Sequence, residues 1–261
     1  MIHTERVPSP PALESSEAVW AAQLCAELVR YNVSFEKFER REATLKPKRP
    51  EALKTRYASA SIKSALRRMF GTKCCYCEAK VEAVSHRHVE HFRPQSLYPA
   101  LAYRWNNLLF ACERCNSTHK RDRFPLAPTG TQPMPDPEKP CSLDDSDDGL
   151  LIDPCTDYPS DHFDYDFLEN GAGEVVDVTL VCKTRRALET RDVCGLNRHD
   201  LVDDMREHLR YIKFGVEALL HAQITEDRSL ERKARKYLTD AASPSNQCSA
   251  MVKAYVKTKL E

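Results

Sequence analysis

The chain has 261 residues, with 39 Lys/Arg balanced by 39 Asp/Glu, 41% hydrophobic and 8% aromatic residues. That apolar share supports a real core and excludes a fully disordered chain, and the length suits one large domain or two small ones. No run approaches the ~18 apolar residues of a membrane span, and "MIHTERVPSPP" lacks the basic start and apolar run of a secretory signal.

Zero net charge hides a strong asymmetry. Lys37 to Lys73 holds twelve Lys/Arg and three Asp/Glu, whereas Asp136 to Glu169 holds twelve Asp/Glu and one Lys. The first stretch suits a polyanion and the second forms an acidic face, or the two satisfy each other. Eleven cysteines without a signal point to a reducing, cytoplasmic setting, where some serve as metal ligands rather than disulfides. No G-x-x-x-x-G-K-[ST] phosphate loop occurs.

In chain order, residues 4–14 are proline-rich and read as extended. "SEAVWAAQLCAELVRYNVSFEKFERR" carries Val19, Leu24, Leu28, Phe35 and Phe38 near helical spacing and predicts one or two helices. "EALKTRYASASIKSALRRMF" predicts a second helix, with Leu53, Tyr57, Ala65, Leu66, Met69 and Phe70 on or near one face and Gly71 at its end. A cysteine-rich centre follows, then the proline-rich "APTGTQPMPDPEKP". "LLIDPC" and "EVVDVTLV" read as short strands, and "KTRRALETRDVCGLN" as a helix ending at Gly195. "LVDDMREHLRYIKFGVEALLHA" is strongly amphipathic, and two basic helices broken at Pro244 finish the chain. The resulting divisions are an N-terminal helical region (1–72), a centre (73–125), a proline-rich and acidic segment (126–183) and a C-terminal helical region (184–261).

The centre carries the chemistry. Cys74-x-x-Cys77 and Cys112-x-x-Cys115 are two tight turns, each able to present two thiolates to one ion, and together they complete a tetrahedral structural Zn²⁺ site. Lys73, Lys80, Arg114 and Lys120 lie near enough in sequence to offset its negative charge. Cys75 reads as a free thiol, and Cys25, Cys141, Cys155, Cys182, Cys194 and Cys248 read as small core residues. Between the turns stands "HRHVEHFRP", His86 to Pro94, with Glu90 directly before His91. On a strand, His86, His88 and Glu90 would share one face. Downstream, "WNNLLFACERCNSTHK" places Asn107, or its neighbour Asn106, before an apolar strand and Asn116 at the start of a helix.

Carboxylate before histidine, asparagine before a strand, and "CN" after the last cysteine resemble the layout of the HNH nucleases. That resemblance implies an α+β fold with a zinc-stapled ββα-metal core framed by N- and C-terminal helices. It implies hydrolysis of nucleic-acid phosphodiester bonds, with His91 as general base. Glu90 and Asn116 would be oxygen ligands to a catalytic Mg²⁺ or Mn²⁺, Asn107 would orient the His91 region, and His88 and His119 are alternative ligands. "KCCYCE", "VEHFRPQ", "NNLLFACERCN", "LLIDPCTDYPSDHF" and "GLNRHDL" further resemble the HNH subunit, PtuB, of Septu-type anti-phage systems, including retron-linked members. An ATPase subunit is the partner this implies, consistent with the missing phosphate loop. Asp153, Cys155 and His162 match the later motif, without a physical role that the sequence supplies. Cys75, Tyr158 and the basic region after about Gln223 depart from the pattern. Two alternatives remain open: a tRNA-directed RNase of a retron-linked system, and a non-catalytic zinc-ribbon nucleic-acid-binding module. The core grips phosphates rather than bases, so sequence does not separate DNA from RNA, although DNA is favoured.

Overall fold

A computed structural model of the chain describes residues 1–81, 88–128 and 148–261. His86 and Cys141, and most of the proline-rich loop, lie outside the described residues.

The chain opens with a helical turn, α1 (Pro11–Glu14), and one long helix, α2 (Glu17–Glu39), that buries Leu24, Cys25 and Leu28. Val19, expected on its packed face, is 56% exposed. Cys25, read as a core thiol, is disulfide-bonded. The single helix expected next is instead two pieces, α3 (Lys54–Tyr57) and α4 (Ala60–Phe70). The break at Ala58 and Ser59 detaches Tyr57 from the α4 face and turns it toward the centre. Ile62, Ala65, Leu66 and Phe70 are the buried stripe of α4, and Gly71 ends it at φ 58°.

The centre is a short antiparallel hairpin of β1 (His88–His91) and β2 (Leu108–Ala111), with His88 opposite Ala111 and His91 opposite Leu108. Every residue of β2 is buried, so this "LLFA" run is the inner strand. Burying each leucine stabilises the core by roughly 1.5–3 kcal/mol. A π-helical segment, Arg114–Lys120, follows and packs against a later helix, Arg185–Cys194.

The region expected to hold two strands has a different layout. "LLIDPC" is not a strand: Leu150 to Asp153 is buried coil, joined to the rest by an isolated Leu126–Gly149 bridge. After a turn of helix, α5 (Pro159–His162), the strands are β3 (Phe163–Glu169) and β4 (Val175–Cys182), paired antiparallel. β3 is absent from the sequence reading; its apolar residues alternate with acids, but aspartate is a poor strand former. Phe163, Tyr165 and Phe167 point inward, while Asp164, Asp166 and Leu168 point out.

Then come α6 (Arg185–Cys194), α7 (His199–Ile224), α8 (Arg228–Ala241) and α9 (Ser249–Leu260). Thr184 caps α6 by accepting from the Ala187 amide, and Gly195 closes it in the left-handed conformation. α7 buries Leu201, Met205, Leu209, Ile212, Val216 and Leu219 and packs on both β4 and α8, while α9 packs on β3. The result is the expected α+β arrangement, with helices at both ends and one continuous core. No helix among the described residues is long and apolar enough to cross a membrane.

Candidate nuclease and zinc centre

The two cysteine turns converge. Ligand atoms of Cys74, Cys77, Cys112 and Cys115 all lie within 4.8 Å of one another, and Cys77 and Cys112 sulfurs are 3.9 Å apart. A tetrahedral zinc with bonds of about 2.3 Å separates its sulfurs by about 3.8 Å, so these donors fit the ion in number, type and spacing. Among the described residues this is the one group of three or more His, Cys, Asp or Glu side chains so assembled. The first turn is closed by Cys74 N–H donating to Ala79 O, with Glu78 at φ 58°. In the second, the Cys115 amide donates to Cys112 Sγ at 3.4 Å.

The charge that balances the thiolates comes from Arg198. Its guanidinium reaches Cys115 Sγ at 3.5 Å and Cys77 Sγ at 3.8 Å, and is fixed by Gly195 O at 3.0 Å and Asp200 at 3.1 Å. Hydrogen bonds from Cys112, Cys115 and Cys74, with Arg198's charge, lower the Cys77 thiol. Three of the four cations expected near the zinc are engaged elsewhere: Lys73 with Glu78, Arg114 with Asp200 and Lys120 with Glu90. "GLNRHDL" contained the signal for Arg198, but only the fold brings it across 121 residues to Cys77.

β1 sends Glu90 and His91 to opposite faces, as strand alternation requires. His91 is buried, its Nε2 lies 2.8 Å from the Ala102 carbonyl, and Tyr57 meets its ring edge-on at 4.6 Å. A carbonyl only accepts, so Nε2 carries the proton and Nδ1 keeps a lone pair. Burial lowers the imidazole to about 4, with the Ala102 hydrogen bond opposing and the Lys120 charge adding. His91 is therefore neutral near pH 7.

Asn107 is also buried. Its Oδ1 accepts from the Arg93 amide at 2.8 Å, and its Nδ2 donates to Arg93 O at 3.0 Å and Leu101 O at 3.1 Å. These bonds tie both ends of the loop that carries Ala102. Asn106 is exposed, and its carbonyl accepts from Arg6.

Glu90, on the other face of β1, is buried with Lys120 Nζ at 2.6 Å and Tyr76 Oη at 3.4 Å from Oε1. Burial raises its carboxyl, and Lys120 and Tyr76 hold it down in part. Asn116 is half-buried on the π-helical segment, four residues before Lys120. Of the alternative ligands, His88 Nδ1 meets Ser117 Oγ at 3.2 Å, and the His119 ring lies against Gly195, where a Cβ would be 2.6 Å away.

The later motif acquires a place. Asp153 Oδ1 accepts from the Cys155 amide, and Asp157 pairs with Arg186 at 2.6 Å. Asp153, Asp157 and Arg186 line a cleft of about 720 Å³ together with Phe92, Arg93 and Asn107 of the hairpin region. His162 instead bonds Thr184 Oγ1 at 2.8 Å.

A family model described as HNH endonuclease matches residues 74–122, the span from the first zinc-type cysteine to just past Lys120. The Septu protein PtuB of Bacillus mycoides (strain KBAB4) is 28% identical over 208 residues, covering 72% of this chain and 66% of that protein. The chain is therefore similar to PtuB, and its residues 74–122 match the HNH endonuclease model. The Septu protein PtuB of Bacillus thuringiensis is 44% identical over 69 residues, 25% of this chain and 27% of that protein. The chain thus matches less than two thirds of the length of either PtuB. The Septu protein PtuA of Bacillus mycoides (strain KBAB4) is 29% identical over 155 residues, 54% of this chain and 20% of that protein. No solved structure matches. The HNH domain thus comprises the hairpin, both cysteine turns and the π-helical segment, and the helical regions on either side supply Tyr57 and Arg198 to it.

Proposed function

We propose that this chain is a metal-dependent endonuclease that hydrolyses nucleic-acid phosphodiester bonds, with DNA favoured over RNA. It acts as the effector of a Septu-type anti-phage complex with a PtuA-like ATPase partner. The single observation that best supports catalysis is the state of His91. A neutral imidazole whose Nε2–H is committed to Ala102 O has one nitrogen, Nδ1, left to take a proton from water. Tyr57 and the Asn107-tied loop hold that ring in one orientation.

Glu90 and Asn116 are the residues that would hold a hard cation, Mg²⁺ or Mn²⁺, and His88 and His119 are the alternatives. The Glu90 and Asn116 oxygens suit such an ion, which when bound supplies charge stabilisation at the phosphate and leaving oxygen. Cys74, Cys77, Cys112 and Cys115 would hold zinc, which staples the two turns that bracket β1 and β2. Exposed Arg41, Lys48, Lys54 and Arg68 offer a phosphate-contacting surface next to α4. Arg49 and Arg56, expected there too, donate instead to Ser96 O and Gln23. The names of the relatives support the Septu setting and a PtuA-like partner.

The test is a plasmid-nicking assay with Mg²⁺ or Mn²⁺, on the chain alone and with a PtuA-like protein. His91→Ala should abolish cleavage while zinc content stays at one per chain. Equal cleavage by His91→Ala and wild type would sink the assignment. Cleavage of RNA with no action on DNA would transfer it to the RNase alternative.

A further inference from the structure

Lys120 has a fully buried side chain at the end of the π-helical segment. Its ammonium touches two groups: Glu90 Oε1 at 2.6 Å and the His91 carbonyl at 2.9 Å. One buried cation therefore contacts the two consecutive residues on which the proposed chemistry rests. Burying an ion pair is costly even when well matched, so it is weak evidence for a purely stabilising role. Two further costs fall on the same spot. π-helical geometry is rare and gathers at functional sites. The residue that follows, Arg121, sits at φ 50° and ψ −124°, a conformation that residues with a Cβ seldom adopt.

We propose that Lys120 is a positioning residue and resident counter-ion of the nuclease centre, holding Glu90 and the His91 carbonyl in place and competing with the divalent cation for the Glu90 carboxylate. The proposal rests on the reading of Glu90 as an oxygen ligand. Lys120 and Glu90 together are neutral, so an incoming divalent cation finds an already compensated carboxylate. A nucleic-acid phosphate adds the negative charge that would favour the cation again. Lys120 thereby ties metal loading to the presence of substrate and keeps the centre weakly metallated without it.

Mn²⁺ binding to the zinc-loaded chain, measured by calorimetry, tests this with Glu90→Gln, Lys120→Met and the double variant. Circular dichroism and one zinc per chain verify the fold of each. Lys120→Met should bind Mn²⁺ at least tenfold more tightly than wild type, yet cleave at least tenfold more slowly at saturating Mn²⁺, because Glu90 and β1 lose their anchor. Glu90→Gln should bind Mn²⁺ at least tenfold more weakly, and adding Lys120→Met to it should change little, since Lys120 acts through Glu90. If Lys120→Met does not fold, Lys120→Gln carries the same expectation. Mn²⁺ affinity in the lysine variant equal to or weaker than wild type overturns the proposal. Wild-type affinity in Glu90→Gln refutes the ligand reading itself, whatever the lysine variant does.

Discussion

Replacing Asn107 by alanine should damage stability and catalysis together, and the two losses can be separated. The amide makes three hydrogen bonds inside the protein: from Arg93 N, to Arg93 O and to Leu101 O. Asn107→Ala removes one partner from each of those three backbone groups in a nearly dry site, where Asn107 is 5% exposed, and Leu101 O keeps the Arg104 amide at 3.1 Å. At about 1 kcal/mol net for each bond the loss is about 3 kcal/mol, and more if no water enters. For a chain of this size ~1 kcal/mol moves Tm by about 2–4 °C, so the expected drop is about 6–12 °C. Leu101 directly precedes Ala102, whose carbonyl fixes His91. Slack in that loop should let the imidazole swing, at a cost of about 100-fold in cleavage. The assay is single-turnover cleavage at a temperature where both proteins are folded, alongside a thermal melt of zinc-loaded protein. A Tm drop under about 2 °C would show that the three bonds do not anchor the loop. A full Tm drop with undiminished cleavage would show that the loop does not position His91.

Cys115→Ser should unfold the centre rather than slow it, because structural zinc contributes roughly 10–16 kcal/mol of apparent binding energy; metal analysis should fall from one zinc per chain to none, and a folded zinc-free variant would contradict this. Asn116→Ala should weaken cleavage in a way that added Mn²⁺ partly restores, whereas no amount of Mn²⁺ should restore His91→Ala. Glu78 predicts an acid limb. Burial alone would raise its carboxyl, but the Met1 ammonium at 3.0 Å, Lys73 at 2.9 Å and Ser249 more than offset that and bring it to about 2. Its contribution, about 3 kcal/mol, is present above its ordinary value of 4.5 and is lost as pH falls from there toward 2. Glu78→Gln should flatten stability over that window in denaturant titrations, and an unchanged pH slope would rule the effect out. Replacing Lys48, Lys54 and Arg68 by alanine should reduce the salt slope of nucleic-acid binding by up to about 3 and weaken all sequences alike. Unchanged affinity with lost PtuA-like partner binding would reassign that face to the partner.

The sequence alone determined what local chemistry can specify. Two C-x-x-C turns 34 residues apart on either side of "VEH" demand one metal, and the four sulfurs do meet. α7 was legible because its apolar stripe is buried from Leu201 to Leu219, although Leu220 on the same stripe is 40% exposed, and Gly195 marked the end of α6. β3 was hidden because its two aspartates are poor strand formers even though they complete a period-2 pattern, and α3 was merged with α4 because helical periodicity runs through the break at Ala58 and Ser59. Only the tertiary structure decided which partners the charged and aromatic side chains find. Lys73 and Lys120, both plausible zinc counter-ions by sequence proximity, turn to Glu78 and Glu90, while Arg198, far away in sequence, takes that place. Tyr57, expected to face the core of its own helix, rests on His91. Periodicity reports which side of an element is buried, because burial follows local spacing. It says nothing of which buried groups touch, because that depends on how distant elements pack, and at this centre those contacts set the tautomer of His91 and the pairing of Glu90 with Lys120.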